Sequence, residues 1–124
     1  MAADSFHASA ATMNDAFLSA MAEKWRELKD APAVSAAGIG FRPAREAAEA
    51  RRLSRAAAAA GMPADAMVRM WRSLCGDVAV ARGLKAVYVA GGDVTLSMEA
   101  ARGYFGFGPN IVPLMGVRDA LERA

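Results

Sequence analysis

Cysteine occurs once in the 124 residues, at Cys75. That excludes an internal disulfide and any metal cluster built on several cysteine ligands. Aromatic residues make up only 7% of the chain, and lysine is far outnumbered by arginine. No block of about five or six like charges occurs, and few aromatics stand among the basic residues, so nothing supports a nucleic-acid surface. No apolar run approaches the roughly 18–20 residues that span a bilayer. The opening residues, Met1 to His7, lack the basic and apolar regions of a secretory signal. The expectation is a cytoplasmic protein with neither membrane nor nucleic acid among its partners.

What the chain has in excess is alanine, which supplies much of its 55% apolar content. Alanine is the best helix former but buries little area, so the composition favours helices meeting through small residues. A chain of this length has a modest core that dimerisation would help. The net charge is +2, and scattered arginines suit a small anionic ligand, because a guanidinium grips a carboxylate in a bidentate fork.

Periodicity predicts three helices and then a change of character. A first helix over residues 12–29 starts at Thr12, with Asp15 three residues on as a capping-box-like partner. Met13, Phe17, Met21, Trp25 and Leu28 form one apolar stripe, expected to be core or dimer seam. Pro32 follows its end, and residues 33–40 make a small-residue loop. Pro43 opens a second helix that runs through an alanine tract to Gly61. A third begins at Pro63 and continues to about residue 81, with Met67, Trp71, Leu74 and Val78 buried and Gly83 closing it. Residues 85–90 are a strand, 95–104 a helix, 110–115 a second strand confined to an edge by Pro113, and 117–124 a closing helix. This is the β-α-β-α order of an α/β layer.

At Phe41-Arg42-Pro43-Ala44-Arg45-Glu46-Ala47-Ala48-Glu49-Ala50-Arg51-Arg52-Leu53 the sequence looks like helix two of the all-helical chorismate mutases. That family shows proline, any residue, Arg-Glu and then a leucine-bearing run here. Val68-Arg69-Met70-Trp71-Arg72-Ser73-Leu74 resembles its third helix, and residues 14–24 its first. The resemblance covers about residues 10–83, and residues 85–124 faintly resemble the start of a prephenate dehydratase-like domain.

The resemblance implies a mainly α fold: a dimeric three-helix bundle over residues 1–83, joined through the first helix, with a short C-terminal βαβα appendage over 84–124. It implies rearrangement of chorismate to prephenate in aromatic amino-acid biosynthesis, with no cofactor and no metal. Such a site holds a dicarboxylate in its reactive conformer and stabilises charge on the breaking ether oxygen. Arg45 then binds a substrate carboxylate and Glu46 contacts the substrate hydroxyl. Lys24 replaces an arginine of the first helix, and Arg82 stands where a glutamine donates to the ether oxygen. The implied catalytic set is Arg45, Glu46 and Arg82, with Lys24 as a further binding residue.

Several positions depart from the family pattern. His7 falls where the partner's arginine would be, in a terminus expected to fray. Ser35 stands near the position of the lysine, Arg42 replaces an aspartate, and Val78 replaces a hydroxyl-bearing residue. These losses leave two further readings: a non-catalytic ligand-binding or interaction module, or a shortened bifunctional enzyme with a vestigial tail. Arg51, Arg52 and Arg55 are read as surface charge, and Cys75 as a small buried apolar residue.

Overall fold

The computed structural model describes residues 2–32, 43–90, 94–114 and 116–123. Among them are five helices and two strands, in the order α1 (Ala2–Asp30), α2 (Pro43–Ala59), α3 (Ala64–Ala81), β1 (Ala86–Ala90), α4 (Val94–Phe105), β2 (Asn110–Leu114) and α5 (Val117–Arg123). The protein is mainly helical, with one small parallel sheet. By its contacts the chain divides into two compact units, Met1–Ala31 and Pro32–Ala124. The boundary expected near residue 83 lies inside the second of these.

The first unit is α1. It begins about ten residues before the expected start, because residues 2–12 are alanine-rich and contain no breaker. Thr12 is therefore not a cap but an interior residue, and its hydroxyl donates back to the Ala8 carbonyl at 3.0 Å. The helical backbone continues through His7, whose side chain lies outside the described residues. The apolar stripe is not a closed core: Met13 is 71% exposed and Phe17 62%, while Met21, Trp25 and Leu28 are half-buried.

In the second unit, α2 and α3 each end as their glycines dictate. Gly61 has φ +80° and Gly83 has φ +114°, a left-handed conformation that costs glycine nothing. At the first stop Met62 N–H donates to Ala57 O at 2.9 Å and Gly61 N–H to Ala58 O at 3.1 Å. At the second, Leu84 N–H donates to Ala79 O at 2.9 Å and Gly83 N–H to Val80 O at 3.0 Å. Both are Schellman stops, which satisfy carbonyls the helix cannot reach itself. Pro63 occupies the N-cap position of α3.

The two strands pair in parallel, Ala86 with Asn110 through Ala90 with Leu114, and α4 makes the crossover. Pro113 sits in β2 opposite Val89, tolerated because a two-stranded sheet consists only of edges. The core is thin. Its buried apolar residues are Ala50, Ala57, Val78, Ala79, Ala101, Ile111 and Leu114. An alanine methyl contributes about 0.8 kcal/mol when buried, against about 1.5–3 kcal/mol for a larger aliphatic side chain. Burial energy is therefore concentrated where α3 packs on α4 and α4 on the sheet, and Pro109, the largest fully buried side chain among the described residues, lies against Gly76 of α3.

Close approach replaces bulk in this core. A Cβ at Gly76 on α3 would fall 1.7 Å from the Phe105 carbonyl oxygen at the end of α4. Gly76 and Ala79 are buried beside Val78, while Met67, Trp71 and Leu74 of the expected stripe are only half-buried. Cys75 is half-buried as well. At the other end of the crossover, Arg102 donates through Nη1 to the Pro109 carbonyl at 3.1 Å, tying α4 to the start of β2.

Candidate functional site

The hairpin of α2 and α3 carries Arg45, Glu46 and Arg82. Its two helices are in contact and joined by only a few residues, so the start of α2 lies at the same end as the close of α3. Arg45 and Glu46 occupy the first turns of α2. Arg82 is the C-cap of α3, with φ −87° and ψ 0°, and its backbone N–H donates to Val78 O at 2.9 Å. The fold thus brings Arg45, Glu46 and Arg82 to one end of one hairpin.

Within that end they do not converge on a common point. Consecutive helical residues project about 100° apart and cannot face the same neighbour. Arg45 is exposed and Glu46 half-buried. Glu46 lies within electrostatic reach of Tyr104 on α4. Burial is the main cause pushing the Tyr104 phenol above its ordinary pKa; the Glu46 carboxylate and Cys75 add to that, and Arg72 opposes it. The Arg72 guanidinium stands over the Tyr104 ring, 4.7 Å from its centroid, and Phe105 meets the same ring edge-on at 4.8 Å.

Lys24 lies on α1, in the other unit, and its Nζ is paired with Glu27 Oε1 at 2.9 Å. Ser35 and Arg42, the positions at which the chain departs from the family pattern near the loop, lie outside the described residues. Val78 is buried and presents no hydroxyl.

A groove of about 440 Å³ runs between α2 and α3. Its floor is Ala47, Ala50 and Val68; its polar lining is Arg51, Ser54, Arg55 and Arg72. Alanines at residues 47 and 50 leave the space that a larger residue would fill. Arg51 and Arg55 are exposed, as expected of surface charge, yet they stand one turn apart on the groove wall. Arg52, one residue further round, points elsewhere: its Nε donates to Glu49 Oε2 at 3.0 Å, and that hydrogen bond raises its pKa. Among the described residues no ion pair involves Arg51, Arg55 or Arg72.

Arg72 and Tyr104 were missed as candidates. Arg72 sits four residues after Val68 on the groove face of α3, so helical spacing could have placed it opposite Arg51. Tyr104 carried no such signal, because only the crossing of α3 and α4 brings it there. Among the described residues no group of three or more His, Cys, Asp or Glu stands close enough to hold a metal ion, and no helix is long and apolar enough to cross a membrane.

Searches against protein-family models, curated proteins and solved structures find no match to this chain.

Proposed function

We propose that this chain is a chorismate mutase-type protein, cytoplasmic and dimeric through α1, that binds chorismate and rearranges it to prephenate. The supporting observation is that Arg45, Glu46 and Arg82 lie at one end of the α2–α3 hairpin. Two guanidiniums there suit a dicarboxylate, each offering paired donors to one anionic group. The rearrangement is intramolecular and needs no nucleophile, metal or proton transfer. What it needs is a held conformer and donors aimed at the developing charge. In this reading Arg45 holds a carboxylate, Glu46 accepts from the substrate hydroxyl, and Arg82 donates to the ether oxygen. The resemblance adds Lys24 as a further cation and sets the three long helices as a bundle.

The experiment is the loss of chorismate's diene absorbance on adding the purified chain. Turnover above buffer is expected, and Arg45→Ala should lower kcat/KM by about tenfold to a hundredfold, the loss of a charge-assisted hydrogen bond. Arg69→Ala, on an exposed side chain of α3, should leave it unchanged. No acceleration over buffer sinks the enzymatic reading.

A second reading is a ligand-binding module of the same fold without turnover. It is favoured by the exposure of Arg45 and the engagement of Lys24 with Glu27, which leave few preorganised donors. Losing one such donor costs roughly 3–4 kcal/mol of barrier. Saturable chorismate binding without acceleration would select it.

A further inference from the structure

The groove between α2 and α3 concentrates three guanidiniums on one concave surface. Arg51 and Arg55 stand four residues apart on α2, which separates them by about 6 Å along the axis. Arg72 comes from α3. Like charges at this spacing repel one another and destabilise the helix that carries them. Glu46 and Arg72 both act on Tyr104, but among the described residues no ion pair relieves the repulsion within the three. The nearest acidic residue on α2, Glu49, is bidentate to Arg52, and no carboxylate among the described residues pairs with any of the three.

Arg72 is oriented for the task. Its guanidinium carbon lies 4.7 Å from the centre of the Tyr104 ring, a contact that holds the cation in place while its N–H groups can still donate to an anion. Ser54 places a hydroxyl in the same lining, and Ala47, Ala50 and Val68 give an apolar floor. A groove of about 440 Å³ is within the size range of small-molecule sites.

We propose that this groove binds a small organic anion: a compact molecule with an apolar body and two anionic oxygen groups, carboxylate or phosphate, about one helical turn apart. One group bridges Arg51 and Arg55 and the other meets Arg72, while the body rests on the alanine floor. The proposal does not depend on chorismate turnover, and chorismate is not its probe.

The test is calorimetric titration of the full chain with glutarate and, separately, with propane-1,3-diol bisphosphate, each carrying two anionic groups on a three-carbon apolar body, at a fixed ionic strength of about 0.15 M. Saturable one-to-one binding of at least one is expected, and the tighter of the two assigns carboxylate or phosphate. Arg55→Gln and Arg72→Gln should each weaken it about tenfold, the loss of one charge-assisted contact. Arg55 is exposed, so its variant keeps the test open even if Arg72→Gln unfolds. Ala47→Leu fills the floor while keeping all three charges and should weaken binding as much. Arg69→Gln, outside the groove, should not change it. The proposal is overturned if neither anion saturates by about 10 mM, or if Arg69→Gln weakens binding as much as Arg55→Gln, which indicates diffuse charge. It is equally overturned if Ala47→Leu leaves affinity intact, or if single-stranded polynucleotide binds more tightly than both small anions.

Discussion

Adding one methyl group at Gly76 tests whether close approach, rather than bulk, holds the second unit together. The new Cβ would lie 1.7 Å from the Phe105 carbonyl oxygen and 2.8 Å from its carbon. An ordinary carbon–oxygen contact is about 3.3 Å, so the end of α4 must retreat by roughly 1.5 Å. Backbone cannot swing aside as a side chain can. A gap of even about 0.5–1 Å forfeits a quarter to a half of the dispersion energy at an interface. Overpacking commonly costs about 1–3 kcal/mol and sometimes more. Against it stands a gain of about 1 kcal/mol from replacing glycine by alanine within a helix. The net expectation for Gly76→Ala is a destabilisation of up to about 2 kcal/mol, or a fall in Tm of up to about 10 °C for a domain of this size.

Urea unfolding followed by Trp71 fluorescence, in a Trp25→Phe background that silences α1, reads this directly. Gly103→Ala on α4 is the control, since a Cβ there meets nothing within 4 Å. It should raise stability by about 0.5–1 kcal/mol. If Gly76→Ala moves the midpoint as Gly103→Ala does, the contact between α3 and α4 is not the constraint described, and the reasoning fails.

Three further outcomes are expected. Tyr104 holds its proton more tightly in the folded chain, chiefly through burial. Stability fully present below the ordinary tyrosine pKa of about 10 is therefore lost as pH rises through the folded value. Tyr104→Phe should flatten that alkaline fall, and urea midpoints with the same slope above pH 10 in both proteins would refute it. Arg102→Met removes the 3.1 Å donation to the Pro109 carbonyl and should cost about 1–2 kcal/mol; an unchanged midpoint would mean that water replaces it without loss. Phe17→Asp on the exposed stripe of α1 should halve the mass seen by light scattering, and a wild-type chain that is already monomeric would remove the proposed dimer.

Much of the secondary structure was legible because its punctuation is strong. Pro43, Gly61, Pro63 and Gly83 mark boundaries that local backbone sterics enforce whatever the rest of the chain does. The start of α1 was not legible. A stretch such as residues 2–12, rich in alanine and free of breakers, has no residue that must begin a helix, and Thr12 has the side chain of a cap without the position of one. The stripe of α1 shows the limit of periodicity. Spacing says that Phe17 and Trp25 share a face, but burial depends on a partner surface.

The candidate site divides the same way. Arg45, Glu46 and Arg82 rest on the family resemblance, Arg45 and Glu46 through the Arg-Glu pair after Pro43 and Arg82 through alignment alone, and the hairpin places them at one end. Their directions were not legible, since neighbouring helical residues diverge and only the packing of α4 decides which one meets Tyr104.

Sequence alone therefore determined where helices and strands stop, the β-α-β-α order, and the arginine-rich, alanine-rich character of the α2–α3 hairpin. Each of these follows from backbone sterics, propensity or composition, which act within a few residues. Tertiary structure decided that Gly76 admits the end of α4, that Pro109 is fully buried, and that Arg51, Arg55 and Arg72 line one groove. Those facts join residues far apart in the chain, and only the close packing of alanine-faced helices brings them together.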